Sequence, residues 1–291
     1  MIPEKLRRDL AALEGDSTLF EREQMRRRIE VLDALEAHLG DAGAEASGSA
    51  PEMARVLNGV LALRRRLEEA NAPIFQTIRR EIQQGNGAET LLRWIDSCRD
   101  SGEMPAPGLG YDALDELVAG ILRVREPGCA PAAPAPEQVF YQPTPVRHVL
   151  QLIRLSGLRE DDVLIDLGSG LGHVCMLASI LTRVRATGIE VEAAYVASAR
   201  ACAESLGLSR VNFVAQDARE ADLSAGTVFW LYTPFSGSIL KKVLQRLEHE
   251  STRRPLRICS LGPCTRTLAE QAWLRANTAC AIDRVTGFMS R

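Results

Sequence analysis

The run Val163, Leu164, Ile165, Asp166, Leu167, Gly168, Ser169, Gly170, Leu171, Gly172, His173, Val174 constrains this chain more than any other stretch. Its apolar start reads as a buried strand, and the glycines that follow require a tight turn. Residues 174–181 then open an apolar helix. In such a strand–loop–helix unit, backbone N–H groups at the helix N-terminus point at whatever binds above the sheet.

The glycine spacing narrows the ligand. A dinucleotide fingerprint wants G-x-G-x-x-G, but here the third glycine falls one residue early and His173 fills its place. Asp166, two residues before the first glycine, would repel a pyrophosphate and could accept from an ammonium group. Both features disfavour an NAD-dependent oxidoreductase. The Asp-Leu-Gly-Ser-Gly-Leu-Gly run resembles motif I of the class I S-adenosylmethionine-dependent methyltransferases, in which this turn packs against the methionine portion of the cofactor. The plainer alternative is a glycine-rich turn in some other α/β protein.

A chain of 291 residues has room for two modest domains or one large one. No apolar run approaches bilayer length, and residues 1–13 are charged and helical in pattern, unlike a signal peptide. A cytoplasmic protein is expected. The seven cysteines include no C-x-x-C pair, and Cys175, Cys202, Cys259 and Cys280 lie in apolar stretches, as buried thiols do. The four histidines are dispersed, so reduced thiols and no structural metal are expected. A net charge of −3 argues weakly against a nucleic-acid partner, because phosphate neutralisation needs a basic face.

Residues 1–126 read as an all-helical N-terminal domain, an orthogonal bundle in which Thr18 to Glu21 fits a capping box and Met25, Ile29, Leu32 and Leu39 repeat at helical spacing. Small polar residues at 41–50 suggest a loop. Helical patterns resume over 52–70, break at Pro73, and continue over 74–84, 89–99 and 112–125. The arginine triplets at 26–28 and 64–66, interleaved with glutamates, read as solvated helix faces. The proline- and alanine-rich segment 127–136 is a linker by composition, extended and semi-rigid. It leaves 137–291 as the second domain.

That domain alternates strand and helix. Strands are expected at 163–167, 186–190, 210–215, 227–231 and 256–260, a helix at 265–276, and a closing antiparallel pair at 280–282 and 285–290. The fold class is therefore α/β, a doubly wound and mostly parallel seven-stranded sheet with ligands at the carboxyl ends of its strands. Asp166, Glu190, Asp217 and the turn from Tyr232 to Phe235 fall at successive strand ends.

This ordered set resembles motifs I to IV of the class I methyltransferases over roughly 139–291. The resemblance implies S-adenosyl-L-methionine as cofactor. Asp166, Gly168, Ser169, Gly170 and Gly172 match the methionine-side loop, Glu190 the ribose acid, and Asp217 with Ala218 the adenine contact. Upstream, Tyr141 and Thr144 resemble a segment that folds over the cofactor's methionine end and would offer it hydroxyls; equally, Thr144 could simply cap the next helix. Tyr232, Thr233, Pro234 and Phe235 resemble the Asn/Asp-Pro-Pro-Phe/Tyr turn of amino-methylating enzymes but depart at the first two positions, which counts against amide and adenine N-methylation. The cofactor half alone is similar to the non-SET histone lysine methyltransferases.

The reading that results is a methyltransferase acting on a protein amine or a small molecule. Tyr232 is the side chain expected to orient or deprotonate the acceptor, and Phe235 to wall its pocket or fill the core. The alternatives are a non-catalytic cofactor-binding scaffold and, less favoured, a nucleic-acid N-methyltransferase. No membrane partner and no metal are expected, and the oligomeric state is open.

Overall fold

The computed structural model describes residues 4–45, 51–99, 110–128 and 137–291. Helices α1 (Glu4–Gly15), α2 (Met25–Glu45), α3 (Pro51–Gln83), α4 (Gly87–Cys98) and α5 (Ala113–Leu122) precede the sheet. Three local expectations are corrected here. Asp16, not Thr18, caps the first short 3-10 turn, accepting from the Thr18 N–H at 3.0 Å and the Thr18 hydroxyl at 2.6 Å. The loop expected from residue 41 is helical as far as Glu45, where good helix formers outweigh the glycines. Pro73 does not break α3. Val60, Leu63, Leu67, Ile74 and Ile78 bury one continuous stripe along it, and that packing holds the helix across the missing N–H.

The arginine triplets divide. Arg64 and Arg65 make i,i+4 pairs with Glu68 and Glu69, both at 2.8 Å, as solvated faces do. Arg28 departs from that expectation, because it is 1% exposed and donates to the Leu19 carbonyl and Asn71 Oδ1, each at 2.7 Å.

Strands β1 (Val163–Leu167), β2 (Arg185–Glu190), β3 (Val211–Ala215), β4 (Val228–Tyr232), β5 (Arg257–Leu261), β6 (Leu274–Ala276) and β7 (Thr286–Ser290) form one sheet ordered β3-β2-β1-β4-β5-β7-β6. The first five are parallel, and β7 runs antiparallel to both β5 and β6. The expected mostly parallel seven-stranded sheet is present. Its last part differs from expectation. The helix α10 (Cys264–Ala269) stops early, so that Leu274 to Ala276 can pair with β7, and residues 280–282 lie in a connection with Cys280 exposed.

Alternating strand residues face two cores. Helices α6 (Val146–Ser156), α7 (His173–Thr182) and α8 (Ala193–Ser205) cover one face, and α9 (Gly237–Ser251) with α10 covers the other. The first core runs on into the N-terminal helices. Ile78, Leu91, Ile95, Leu117 and Ile121 share one buried cluster with Cys175, Met176, Ala199 and Cys202. Polar bonds cross the same boundary. The Cys202 thiol donates to the Leu122 carbonyl at 3.1 Å, and Gln83 Nε2 to the Ser205 carbonyl at 2.8 Å. Residues 129–136 of the expected linker lie outside the described residues. Among the described residues, no helix is long and apolar enough to cross a membrane.

Candidate functional site

Strand order reverses beside β1, between β2 and β4, the place where a doubly wound sheet opens a crevice at its carboxyl edge. The glycine turn after β1 forms the floor of that crevice. Gly168 (φ 82°) and Gly170 (φ 50°) take left-handed conformations. A Cβ at Gly168 would lie 2.2 Å from Pro234 Cβ, and one at Gly170 would lie 2.0 Å from Tyr141 Cε2. No other residue fits either position.

The turn is tied to the end of β2. The Gly168 and Ser169 N–H groups donate to the Ile189 carbonyl at 2.8 and 3.0 Å. Glu190 uses both carboxylate oxygens locally: Oε2 accepts from the Gly170 N–H and Oε1 from the Glu192 N–H, each at 2.9 Å. Two fixed donors hold this carboxylate in one orientation and leave lone pairs for hydroxyls of a ligand.

Asp166 is 2% exposed, with the Cys175 thiol 3.9 Å from Oδ2. Burial, helped by the neighbouring Glu190, pushes its carboxyl up to about 8. Asp217, after β3, behaves in the opposite way. Hydrogen bonds from the Arg219 side chain, the shortest 2.6 Å, hold it below the usual carboxylate range. Ala218 beside it is buried.

A cavity of about 350 Å³ joins these groups to the end of β4. It is lined by Thr144, Asp166, Gly168, Ser169, Glu190, Asp217, Ala218 and the whole Tyr232–Phe235 turn. Gly170 and Gly172 lie behind its wall, against Tyr141 and Phe213 respectively. The Ser169 hydroxyl is buried with no hydrogen-bond partner. At the fourth strand end, Tyr232 is half-buried, and burial pushes its phenol above the ordinary value. Thr233 adopts a φ of 40°; its Oγ1 donates to the Leu261 carbonyl at 2.9 Å and accepts from the Cys264 N–H at 3.2 Å. That hydroxyl holds the turn together. Phe235 lines the cavity and also belongs to the α9 core.

Residues 137–145 cross the mouth as a strap. The Glu137 carboxylate caps α9, accepting from the Ser238 N–H at 3.0 Å and its hydroxyl at 2.6 Å, while Gln138 bridges to Phe235. The strap's other end is held from α5 and the residues just before it: Tyr111 donates to the Pro143 carbonyl at 3.0 Å, and Asp115 accepts from the Val146 N–H at 2.8 Å. Helix α6 begins after Pro145 with no side-chain cap, so Thr144 is not its capping residue and instead lines the cavity. Tyr141 lines the cavity as well, and its hydroxyl lies 3.2 Å from His173 Nδ1, a partner the sequence did not indicate. Sequence reasoning also missed Tyr195, whose ring centroid is 5.1 Å from that of Tyr141, and Trp230, a cavity wall inside an apolar strand. Neither carries a motif signal.

Residues 158–249 match a family described as a methyltransferase domain. A protein-lysine N-methyltransferase of Saccharolobus islandicus (strain REY15A) is 30% identical over 96 residues, 32% of this chain and 60% of that protein, so less than two thirds of the relative is spanned. An RNA methyltransferase from Salinibacter ruber in complex with S-adenosyl-L-homocysteine is 28% identical, with a TM-score of 0.42 over 51% of this chain and 92% of that one. A precorrin-6y C5,15-methyltransferase from Geobacter metallireducens GS-15 is 15% identical, with a TM-score of 0.41 over 53% and 92%.

Proposed function

We propose that the protein, whose residues 158–249 match a methyltransferase domain, binds S-adenosylmethionine and transfers its methyl group to an amine, with a protein lysine as the favoured acceptor. One observation carries the cofactor reading. Glu190, oriented by the Gly170 and Glu192 N–H groups, stands with Asp166 at adjacent strand ends above a glycine turn. The ribose hydroxyls suit the first carboxylate and the amino-acid ammonium the second. The partnerless Ser169 hydroxyl, buried in the turn, fits a site that a polar ligand completes.

When bound, the sulfonium supplies a methyl group already activated for in-line displacement. The protein's own part is positioning. Pro234 stiffens the turn and packs on Gly168, which fixes Tyr232 relative to the cofactor loop. With its phenol raised by burial, Tyr232 keeps its proton at neutral pH and orients the acceptor by hydrogen bonding instead of acting as a base. Thr233 and Phe235 support that turn.

Two observations favour an amine. The Saccharolobus relative is named as a protein-lysine N-methyltransferase, and the acidic residues lining the cavity are Asp166, Glu190, Glu192 and Asp217, with no Lys or Arg among the described lining residues. A phosphate-bearing acceptor would find no counter-charge there. Radiolabelled methyl transfer into fractionated lysate tests the assignment: label in protein supports it, and label confined to nucleic acid or small molecules overturns the acceptor. A cytoplasmic location belongs to the same proposal and is checked by cell fractionation.

A further inference from the structure

The Tyr141 hydroxyl lies 3.2 Å from His173 Nδ1. The ring rests on Gly170 and tilts 50° against Tyr195. The hydroxyl's pairing with His173 engages Nδ1 and leaves Nε2 as the ring nitrogen for a ligand; when the hydroxyl donates to Nδ1, the neutral ring carries its proton on Nε2. Burial lowers the His173 pKa to about 4, so the ring is neutral at physiological pH.

His173 is the first residue of α7 and lines the cavity together with Asp166 and Gly168. An amino-acid ligand end brings an ammonium and a carboxylate. Asp166 answers the ammonium. No Lys or Arg among the described lining residues answers the carboxylate, which leaves neutral donors at the positive end of α7.

We propose that His173 is a cofactor-binding residue whose Nε2–H, in the tautomer set by Tyr141, donates to the carboxylate of the cofactor's methionine portion. Tyr141, which lines the same cavity, thus also acts on the cofactor through His173. This inference rests on the S-adenosylmethionine reading above.

Calorimetry on the full chain separates the two. The probes are S-adenosylhomocysteine and 5′-methylthioadenosine, which shares the nucleoside and sulfur but lacks the amino-acid portion. His173→Phe keeps a flat ring and removes the donor; it should weaken S-adenosylhomocysteine binding about tenfold and leave methylthioadenosine unchanged. His173→Gln, which restores an N–H near that position, should recover part of the loss. Tyr141→Phe should give a smaller loss in the same direction, and the double variant should be no worse than His173→Phe alone. Equal losses for both ligands would make His173 a packing residue and overturn the proposal, as would no loss for either. Wild-type protein that binds neither ligand overturns the methyltransferase reading itself, an outcome distinct from a failure at His173.

Discussion

At the cofactor end of the cavity, side chains are held by backbone close to the same strand ends: Glu190 by Gly170 and Glu192, and the glycine turn by Ile189. The strap across the mouth and the Tyr232–Phe235 turn are held from far along the chain. Glu137 fastens the strap to α9, Thr233 ties β4 to the turn before α10, and Tyr111 reaches the strap from the N-terminal helices. The first arrangement forms wherever the local turn forms. The second needs long loops to close and the helical region to be in place. Damage to one end should therefore spare the other.

The largest expected effect is removal of residues 1–126. The composition of 127–136 suggests an interdomain boundary and a fragment 137–291 that still binds cofactor. The buried cluster shared by α3, α4, α5, α7 and α8 predicts otherwise: the fragment should lose its cooperative thermal transition. A fragment that melts cooperatively and binds S-adenosylhomocysteine would establish two independent domains and break the dependence described above.

Next comes Tyr232→Phe. It should lower kcat about 10²-fold, the scale of removing one positioned hydrogen-bonding group from the transition state, with cofactor affinity unchanged. Full turnover on the true acceptor would reduce Tyr232 to packing. At the opposite end, Glu190→Ala removes charge-assisted hydrogen bonds and should weaken S-adenosylhomocysteine binding roughly ten- to hundredfold in calorimetry. Unchanged affinity would remove Glu190 from the ribose site.

Asp166 gives the cofactor end its own pH signature. Unfolded, its carboxyl titrates near about 4; folded, it titrates at about 8. Between those values the unfolded chain is ionised while the folded one holds its proton, so stability falls as pH rises, then levels off above about 8. His173 has the opposite sense: its folded value of about 4 lies below the usual one, so its contribution grows as pH rises to about 6.5. The two oppose each other below about 6.5, and the Asp166 decline stands alone from there to about 8. Melting temperatures across that window should fall in wild type and stay level in Asp166→Asn. Bound S-adenosylhomocysteine, bringing an ammonium, should flatten the wild-type slope. A wild-type slope that survives the Asn substitution places its source elsewhere.

The smallest effect is expected from Thr233→Ala, about 1 kcal/mol of stability for the lost turn hydrogen bonds. Its acceptor KM should rise while S-adenosylhomocysteine affinity holds. A loss of cofactor affinity would show that the two ends are coupled through Pro234.

The sequence by itself determined the glycine turn, the acidic strand ends at Asp166, Glu190 and Asp217, and the parallel alternation that carries them. Each is written in a few consecutive residues, where an apolar run, a required positive φ or a strand-end carboxylate has one local meaning. Only the tertiary structure decided that Pro73 would stay inside α3, that 274–276 would be a strand, that Glu137 would cap a helix about a hundred residues on, and that Tyr141 would bond His173. It also decided that the N-terminal helices would complete the core over α7. These outcomes depend on which surfaces meet after the chain closes, and burial then sets the protonation of Asp166 and His173. Short-range patterns carry no record of those partners, because packing and desolvation act between residues that the sequence keeps apart.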